Sequence, residues 1–194
     1  MVCALTGLIS GIDEAGRGPL AGPVVSSCVV WNSLPDRSQK VNDSKLLTAK
    51  QRSELFPWIQ QHAFKIGIGI ATHEEIDTIN ILRASLLSME RALQASGVEP
   101  NLLLIDGRFA LQSYPDSKPV VKGDRKCFYI ACASIVAKVT RDNIMDKYDM
   151  EYPHYNFKKN KGYPTKDHRF AIERYGISPI HRKTFKGVRE YLAV

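Results

Sequence analysis

The sequence predicts an α/β domain, on three observations. Segments with the alternation or β-branching of strands take turns along the chain with segments whose apolar residues recur every three or four positions. One run, Leu102-Leu103-Leu104-Ile105, is continuously apolar and ends in Asp106-Gly107, the pattern of a strand buried on both faces whose carboxyl end opens onto a site. The chain of 194 residues, 44% hydrophobic and 24% charged, is long enough for one domain with a substantial core.

Taken in order, Ala4 to Ile9 and Val24 to Trp31 read as strands joined by residues 11–23, GIDEAGRGPLAGP. Thr48 to His62 reads as helix interrupted at Pro57, which lacks the N–H that an unbroken helix needs. Phe64 to Ile70 carries isoleucine at alternate positions, the period of a half-buried strand. Thr72-His73-Glu74-Glu75 matches a capping box, after which Ile79, Leu82, Leu86, Met89 and Leu93 keep helical spacing as far as Gly97. Beyond the Leu102–Ile105 strand, Pro119-Val120-Val121 begins a short strand leading into Lys122-Gly123-Asp124. Ile130 to Met150 has helical spacing, Pro153 to Pro164 reads as a polar loop, and Thr165 caps a helix that stops at Tyr175-Gly176. A single domain over residues 1–194 is expected, with a helical, basic segment from about residue 150 onward.

Composition narrows the class of function. With 27 Lys and Arg against 20 Asp and Glu the formal charge is +7, which favours a polyanionic partner over a neutral metabolite. No apolar run approaches the roughly 20 residues of a membrane span, and the N-terminus lacks the order of a signal peptide, so a cytoplasmic protein is expected. The four cysteines, Cys3, Cys28, Cys127 and Cys132, form no C-x-x-C pair and read as reduced and structural. Histidine-rich zinc motifs such as H-E-x-x-H are absent.

Four acids stand at or just beyond predicted strand ends, each near a glycine or other small residue: Asp13, Glu14, Asp106 and Asp124. Clustered carboxylates repel one another and call for a counter-charge, for which a hard divalent cation such as Mg²⁺ is suited. Two such ions roughly 3.5–4 Å apart can clamp the attacking and leaving oxygens of phosphodiester cleavage. Any one of these acids could instead be a turn former or helix cap. Adjacent strand residues also point to opposite faces, so Asp13 and Glu14 can share a site only if the chain bends between them. Gly16-Arg17-Gly18-Pro19-Leu20-Ala21 loosely fits a dinucleotide-binding fingerprint, but a strand rather than a helix follows it. A rigid loop in which Gly16 and Gly18 let backbone approach a ligand fits better, with Arg17 reaching a phosphate or bracing the loop.

The chain resembles the bacterial ribonuclease HII family over nearly its whole length. GIDEAGRGPLAGPVV, NDSKLLT, INILRASLLSM, LLIDG, VVKGD, ASIVAKVTRD, NKGYPT and HRKTF occur in the family's order. The resemblance implies a ribonuclease H-like fold, a central mixed β-sheet flanked by helices and followed by a helical C-terminal segment. It implies that Asp13, Glu14, Asp106 and Asp124 bind the catalytic metals, Mg²⁺ or Mn²⁺, with two ions during catalysis, while Asp142 is read as structural. The implied substrates are RNA·DNA hybrids and DNA duplexes with single embedded ribonucleotides. These are cut on the 5′ side of the ribonucleotide by metal-assisted water attack, leaving 3′-hydroxyl and 5′-phosphate ends.

By the same resemblance, the Gly16-Arg17-Gly18 backbone contacts the ribose 2′-OH, the group that separates RNA from DNA. Tyr163 then touches the 2′-OH and stacks on the adjacent deoxyribose, though from local sequence alone it reads as a loop anchor. Lys45, Ser134 and Lys138 are implied phosphate contacts, and Lys158 to Lys161 with Arg182, Lys183 and Lys186 add electrostatic grip. The departures are small. The family commonly reads SKKL where this chain has Ser44-Lys45-Leu46-Leu47, one positive charge fewer, and AAAS where it has Ala131-Cys132-Ala133-Ser134. A monomer is expected. Two other readings remain, a less selective carboxylate-metal nuclease of similar fold and a non-catalytic basic nucleic-acid-binding module.

Overall fold

The computed structural model describes residues 7–33, 41 and 47–192. Five strands form one mixed sheet: β1 (Ile9–Ala15), β2 (Val24–Trp31), β3 (Lys65–Ala71), β4 (Leu102–Asp106) and β5 (Lys118–Val120), in the order β3-β2-β1-β4-β5. The β3-β2-β1 part is an antiparallel meander, while β4 and β5 run parallel to β1. The helices are α1 (Ala49–His62), α2 (His73–Ser96), α3 (Gly123–Lys126), α4 (Phe128–Glu151), α5 (Phe157–Asn160) and α6 (Lys166–Tyr175).

Strand alternation sorts the core onto two faces. Ile9, Val29 and Trp31 pack with Leu55 and Ile59 of α1 and with Tyr129, Cys132, Ala133 and Val136 of α4. Their neighbours Ile12, Cys28, Val30, Leu103 and Ile105 turn the other way, onto Met89 and Ala92 of α2. Leu102 and Leu104 join the first cluster, so β4 is covered on both sides, as its unbroken apolar run predicts. Glycines let helices close on the sheet: a Cβ at Gly11 would meet the Tyr129 backbone of α4, and one at Gly69 the Ser88 carbonyl of α2. A third cluster, with Leu20, Met145, Tyr155, Phe157, Ile172 and Val188, welds the loop after β1 to the end of α4 and the C-terminal helices.

Several expectations need correction. The first strand is Ile9–Ala15, not Ala4–Ile9, so Asp13 and Glu14 lie within it rather than in a joint. Residues 4–6 of the predicted strand lie outside the described residues. Helix α1 passes through Pro57 unbroken; Pro57 is on the exposed face, where solvent can satisfy the carbonyl that lacks its N–H partner. Helix α2 is not continuous. Asn80 adopts φ 68, ψ 164, and its Oδ1 accepts hydrogen bonds from the N–H groups of Leu82 and Arg83, capping a second helical stretch inside the first. The loop from Pro153 to Pro164 contains a 3₁₀ turn (Pro153–Tyr155) and α5, anchored by buried Tyr155 and Phe157. Both predicted caps are present. Thr72 and Glu75 exchange the capping-box hydrogen bonds, and Thr165 Oγ accepts from the His168 N–H.

Candidate active site

The acids of β1 meet Asp106 where the β1–β4 ladder runs out. Paired residues extend from Ile9↔Leu102 to Ile12↔Ile105; beyond them β1 stays paired only with β2, and Asp106, the last residue of β4, pairs with Val120 of β5. The chain does not bend between Asp13 and Glu14, since β1 stays in register with β2 as far as Ala15↔Val25. Their side chains leave on opposite faces, Asp13 toward Ser134 of α4 and Glu14 toward a cleft lined by Leu82 and Ser85 of α2. They can nevertheless meet, because the site lies at the end of the sheet rather than on a face. One carboxylate oxygen each from Asp13, Glu14 and Asp106 lies within 4.8 Å of the others.

Each acid is held differently. Asp13 is 4% exposed, and its Oδ1 accepts the Glu14 N–H at 2.7 Å. Burial, then the charges of Glu14 and Asp106, hold its carboxyl well above the usual carboxylate range, against the opposing hydrogen bonds from Ser134 and the Glu14 backbone. Asp106 Oδ1 accepts the Gly123 N–H at 2.7 Å, which ties the end of β4 to the start of α3. Asp124, the next residue, is buried at 7% exposure but stands outside the three-oxygen cluster. The three grouped carboxylates are hard oxygen donors whose mutual repulsion a divalent cation relieves, so the donor set fits Mg²⁺ or Mn²⁺ and not a thiolate-seeking metal.

The loop after β1 lies beside this cluster. Glu14, Gly16, Arg17, Gly18, Lys138 and Tyr163 line a cleft of about 180 Å³. Glu14 and Arg17 also line a second cleft of about 310 Å³, which reaches Asp106, Arg108 and Phe109. Arg17 Nη1 stands 3.4 Å from Glu14 Oε1. Tyr163 is 40% exposed, and a Cβ at Gly18 would lie 3.5 Å from its ring. Gly16 has φ +102, and a Cβ there would run into the Arg141 guanidinium, so only glycine fits.

Two buried arginines hold the loop, and sequence reading missed this role for both. Arg141 donates to the carbonyls of Pro23, Ala21 and Lys161 at 2.9, 3.2 and 2.9 Å. Arg182 donates to the carbonyls of Gly22, Arg17 and Gly16 at 2.9, 3.0 and 2.6 Å. Burial lowers their pKa values to about 10 and about 9, so both remain cationic at neutral pH. Arg182 therefore does not belong with Lys183 and Lys186, which are exposed. Lys161 also leaves the predicted basic grip, paired instead with Asp146, while Lys158 and Lys159 are exposed. A signal for Arg141 was present: Ala133, Ala137, Arg141 and Met145 follow at intervals of four, a single buried stripe of α4.

Of the expected phosphate contacts, Ser134 is buried with its side chain bonded to Asp13. Lys138 lines the smaller cleft, paired with Asp142 at 2.7 Å. Burial keeps its ammonium below the ordinary lysine range despite that partner. Lys45 lies outside the described residues.

A sequence profile described as Ribonuclease HII matches residues 10–188. The chain belongs to the ribonuclease HII family. It is 52% identical over 177 residues to a ribonuclease HII of Clostridioides difficile (strain 630), covering 91% of this chain and 69% of that one. A ribonuclease HII of Syntrophotalea carbinolica is 48% identical over 184 residues, covering 95% and 88% of the two chains. Among solved structures, ribonuclease H2 from Pyrococcus horikoshii OT3 superposes with a TM-score of 0.76 at 26% identity, over 95% of this chain and 96% of that one. As a ribonuclease HII, the chain has the ribonuclease H-like α/β fold and is a metal-dependent phosphodiester hydrolase, an endoribonuclease acting on RNA–DNA hybrids. No helix among the described residues is long and apolar enough to cross a membrane.

Proposed function

We propose that this ribonuclease HII cuts on the 5′ side of a ribonucleotide, both in RNA·DNA hybrids and at single ribonucleotides embedded in duplex DNA, leaving 3′-hydroxyl and 5′-phosphate ends. The observation that carries this reading is the cleft shared by Glu14, the Gly16-Arg17-Gly18 loop and Tyr163, directly beside the three-carboxylate cluster. A group that recognises a ribose is then within reach of the group that cuts next to it.

In this reading Asp13, Glu14, Asp106 and Asp124 hold the metal, two Mg²⁺ or Mn²⁺ ions during catalysis. Bound there, such ions would polarise the scissile phosphate and acidify the attacking water. The protein's own residues do the positioning. Arg182 takes the carbonyls of Gly16 and Arg17, which fixes this loop and leaves its N–H groups as the backbone donors suited to a phosphate or to the oxygen of a 2′-OH. The exposed Tyr163 ring supplies a flat surface for the sugar on the deoxyribose side of the junction. Lys138 and Lys45 attract the backbone, and Ser134 orients Asp13. The chain acts in the cytoplasm as a monomer, its residues 1–194 forming one catalytic domain.

The test is cleavage of an end-labelled DNA duplex carrying one ribonucleotide, with Mg²⁺, Mn²⁺ or chelator, beside an all-DNA control. A single metal-dependent cut 5′ to the ribonucleotide is expected. Cuts in the control would instead favour an unselective carboxylate-metal nuclease, and binding without any cut a non-catalytic module.

A further inference from the structure

Behind Tyr163, away from the cleft, lies a buried pair of histidines that the acid cluster does not use. His168 of α6 and His181 of the tail are both 0% exposed, and their Nε2 atoms are 3.0 Å apart. His181 Nδ1 faces the Ser178 backbone N–H at 2.9 Å and the Ser178 hydroxyl at 2.7 Å. His168 Nδ1 faces the Tyr163 carbonyl at 2.9 Å.

The two ends of this chain of contacts fix the protons between them. A backbone N–H can only donate, so His181 Nδ1 must offer its lone pair and its proton must sit on Nε2. That proton points at His168 Nε2, which must therefore accept, placing the His168 proton on Nδ1. Nδ1–H then donates to the Tyr163 carbonyl, which can only accept. Every polar atom is satisfied in one arrangement, with both rings neutral. A proton added to either ring would set two donors against each other.

We infer that His168 is a positioning residue for Tyr163, held in a single neutral tautomer by His181 and Ser178, and that this relay sets the placement of the Tyr163 ring over the cleft. The inference rests on the reading of Tyr163 as the residue that senses the ribose-to-deoxyribose junction. The relay is rigidly housed: Tyr155 and Phe157 stack at 5.4 Å and present their rings to both histidines. His181 is itself fixed by pairing with Ala21 in the loop after β1. The Thr165 N–H takes the other lone pair of the Tyr163 carbonyl and the Tyr163 N–H donates to the Asn160 carbonyl, both turn contacts, so His168 supplies the side-chain anchor of that peptide. Burial keeps both imidazoles below the usual histidine range, His181 at about 3, and His73 of α2 further opposes charge on His181.

Two measurements test this. The first needs no variant: ¹⁵N NMR of the histidine rings should report His181 protonated on Nε2 and His168 on Nδ1 at neutral pH. Mixed tautomers, or the reverse pair, would overturn the relay. The second is a cycle of His168→Gln, Tyr163→Ala and the double variant. It is read as the ratio of cleavage at a single embedded ribonucleotide to cleavage of an all-RNA strand in a hybrid, with melting followed alongside. His168→Gln should lower the ratio about tenfold, the scale expected when a reacting geometry shifts by a fraction of an ångström. In the Tyr163→Ala background the same change should lower it less than about twofold, because its route of action is gone. Equal losses in both backgrounds, or a fall in melting temperature with the ratio unchanged, would refute the positioning role. If Tyr163→Ala alone leaves the ratio intact, the junction reading fails and the positioning claim with it, while the tautomer result still judges the relay by itself.

Discussion

Replacing Asp106 by Asn should kill cleavage and, with no metal present, make the protein more stable. Asn is nearly isosteric, and its Oδ1 can still accept the Gly123 N–H that Asp106 accepts at 2.7 Å, so the change removes charge and little else. Carboxylate oxygens within 4.8 Å of one another repel by about 3.5 kcal/mol per ionised pair at an effective dielectric constant of about 20. Asp106 is half-buried and Asp13 relieves part of the strain by holding its proton more tightly, so a net gain of about 1–2 kcal/mol is expected. For a chain of this size that is about 3–6 °C in Tm. Metal should reverse the order. An ion at 100 times its Kd stabilises the wild type by about 2.7 kcal/mol, and a site with one ligand disabled forfeits much of this. Thermal melts by circular dichroism in chelator and in Mn²⁺, on both proteins, make the comparison. An Asp106→Asn protein that is less stable in chelator, or that gains as much from Mn²⁺ as the wild type, would refute the idea that the three acids form a strained site awaiting a cation.

Tyr163→Ala removes a side chain that is 40% exposed, so it should cost under about 1 kcal/mol in urea denaturation while lowering cleavage at a single embedded ribonucleotide. Gly69→Ala should cost about 1–3 kcal/mol by the same measurement, because the new methyl must push the α2 backbone at Ser88 and Ala92 off the sheet. The buried histidines predict a fall in stability as pH drops below about 6.5. His181 has its folded pKa depressed to about 3, so the unfolded chain takes up a proton that the fold refuses, costing about 2 kcal/mol by pH 5, with His168 acting in the same direction. Asp13, with its pKa raised, contributes with the opposite sign, so the titration is best made on Asp13→Asn in chelator. A stability that is flat from pH 7 to pH 5 in that variant would contradict the neutral pair.

What the sequence made legible was whatever local pattern determines. The Thr72 and Thr165 caps, the alternation in β3 and the continuous apolar run of β4 depend on neighbours a few residues away, and each is present. Three of the four suspected acids come together, though the reason they can was not local. Gly11 and the paired acids resemble a turn, yet the strand runs through them, paired with β2 as far as Ala15, and Gly11 is there because α4 occupies the space a side chain would fill. The carboxylates converge from opposite faces only because β4 ends beside them. The break at Asn80 was invisible for a related reason, since the apolar period continues undisturbed across it and the cap is made by one amide side chain.

The charged residues mark where local reading stops. Arg182 and Lys186 look alike in a basic tail, but Arg182 is fully buried on carbonyls of residues about 160 positions earlier, whereas Lys186 faces water. Net charge cannot separate a cation that faces water from one that shapes a loop from inside. Periodicity could have done so for Arg141, which sits where a buried stripe calls for an apolar residue. A long charged side chain at such a position must find acceptors in the interior or unfold it, and the acceptors it finds are the carbonyls of Ala21 and Pro23 in the loop after β1 and of Lys161. Arg141 of α4 and Arg182 of the C-terminal segment thus tie both parts of the chain to the loop after β1, so residues far along the sequence shape the backbone beside the acid cluster.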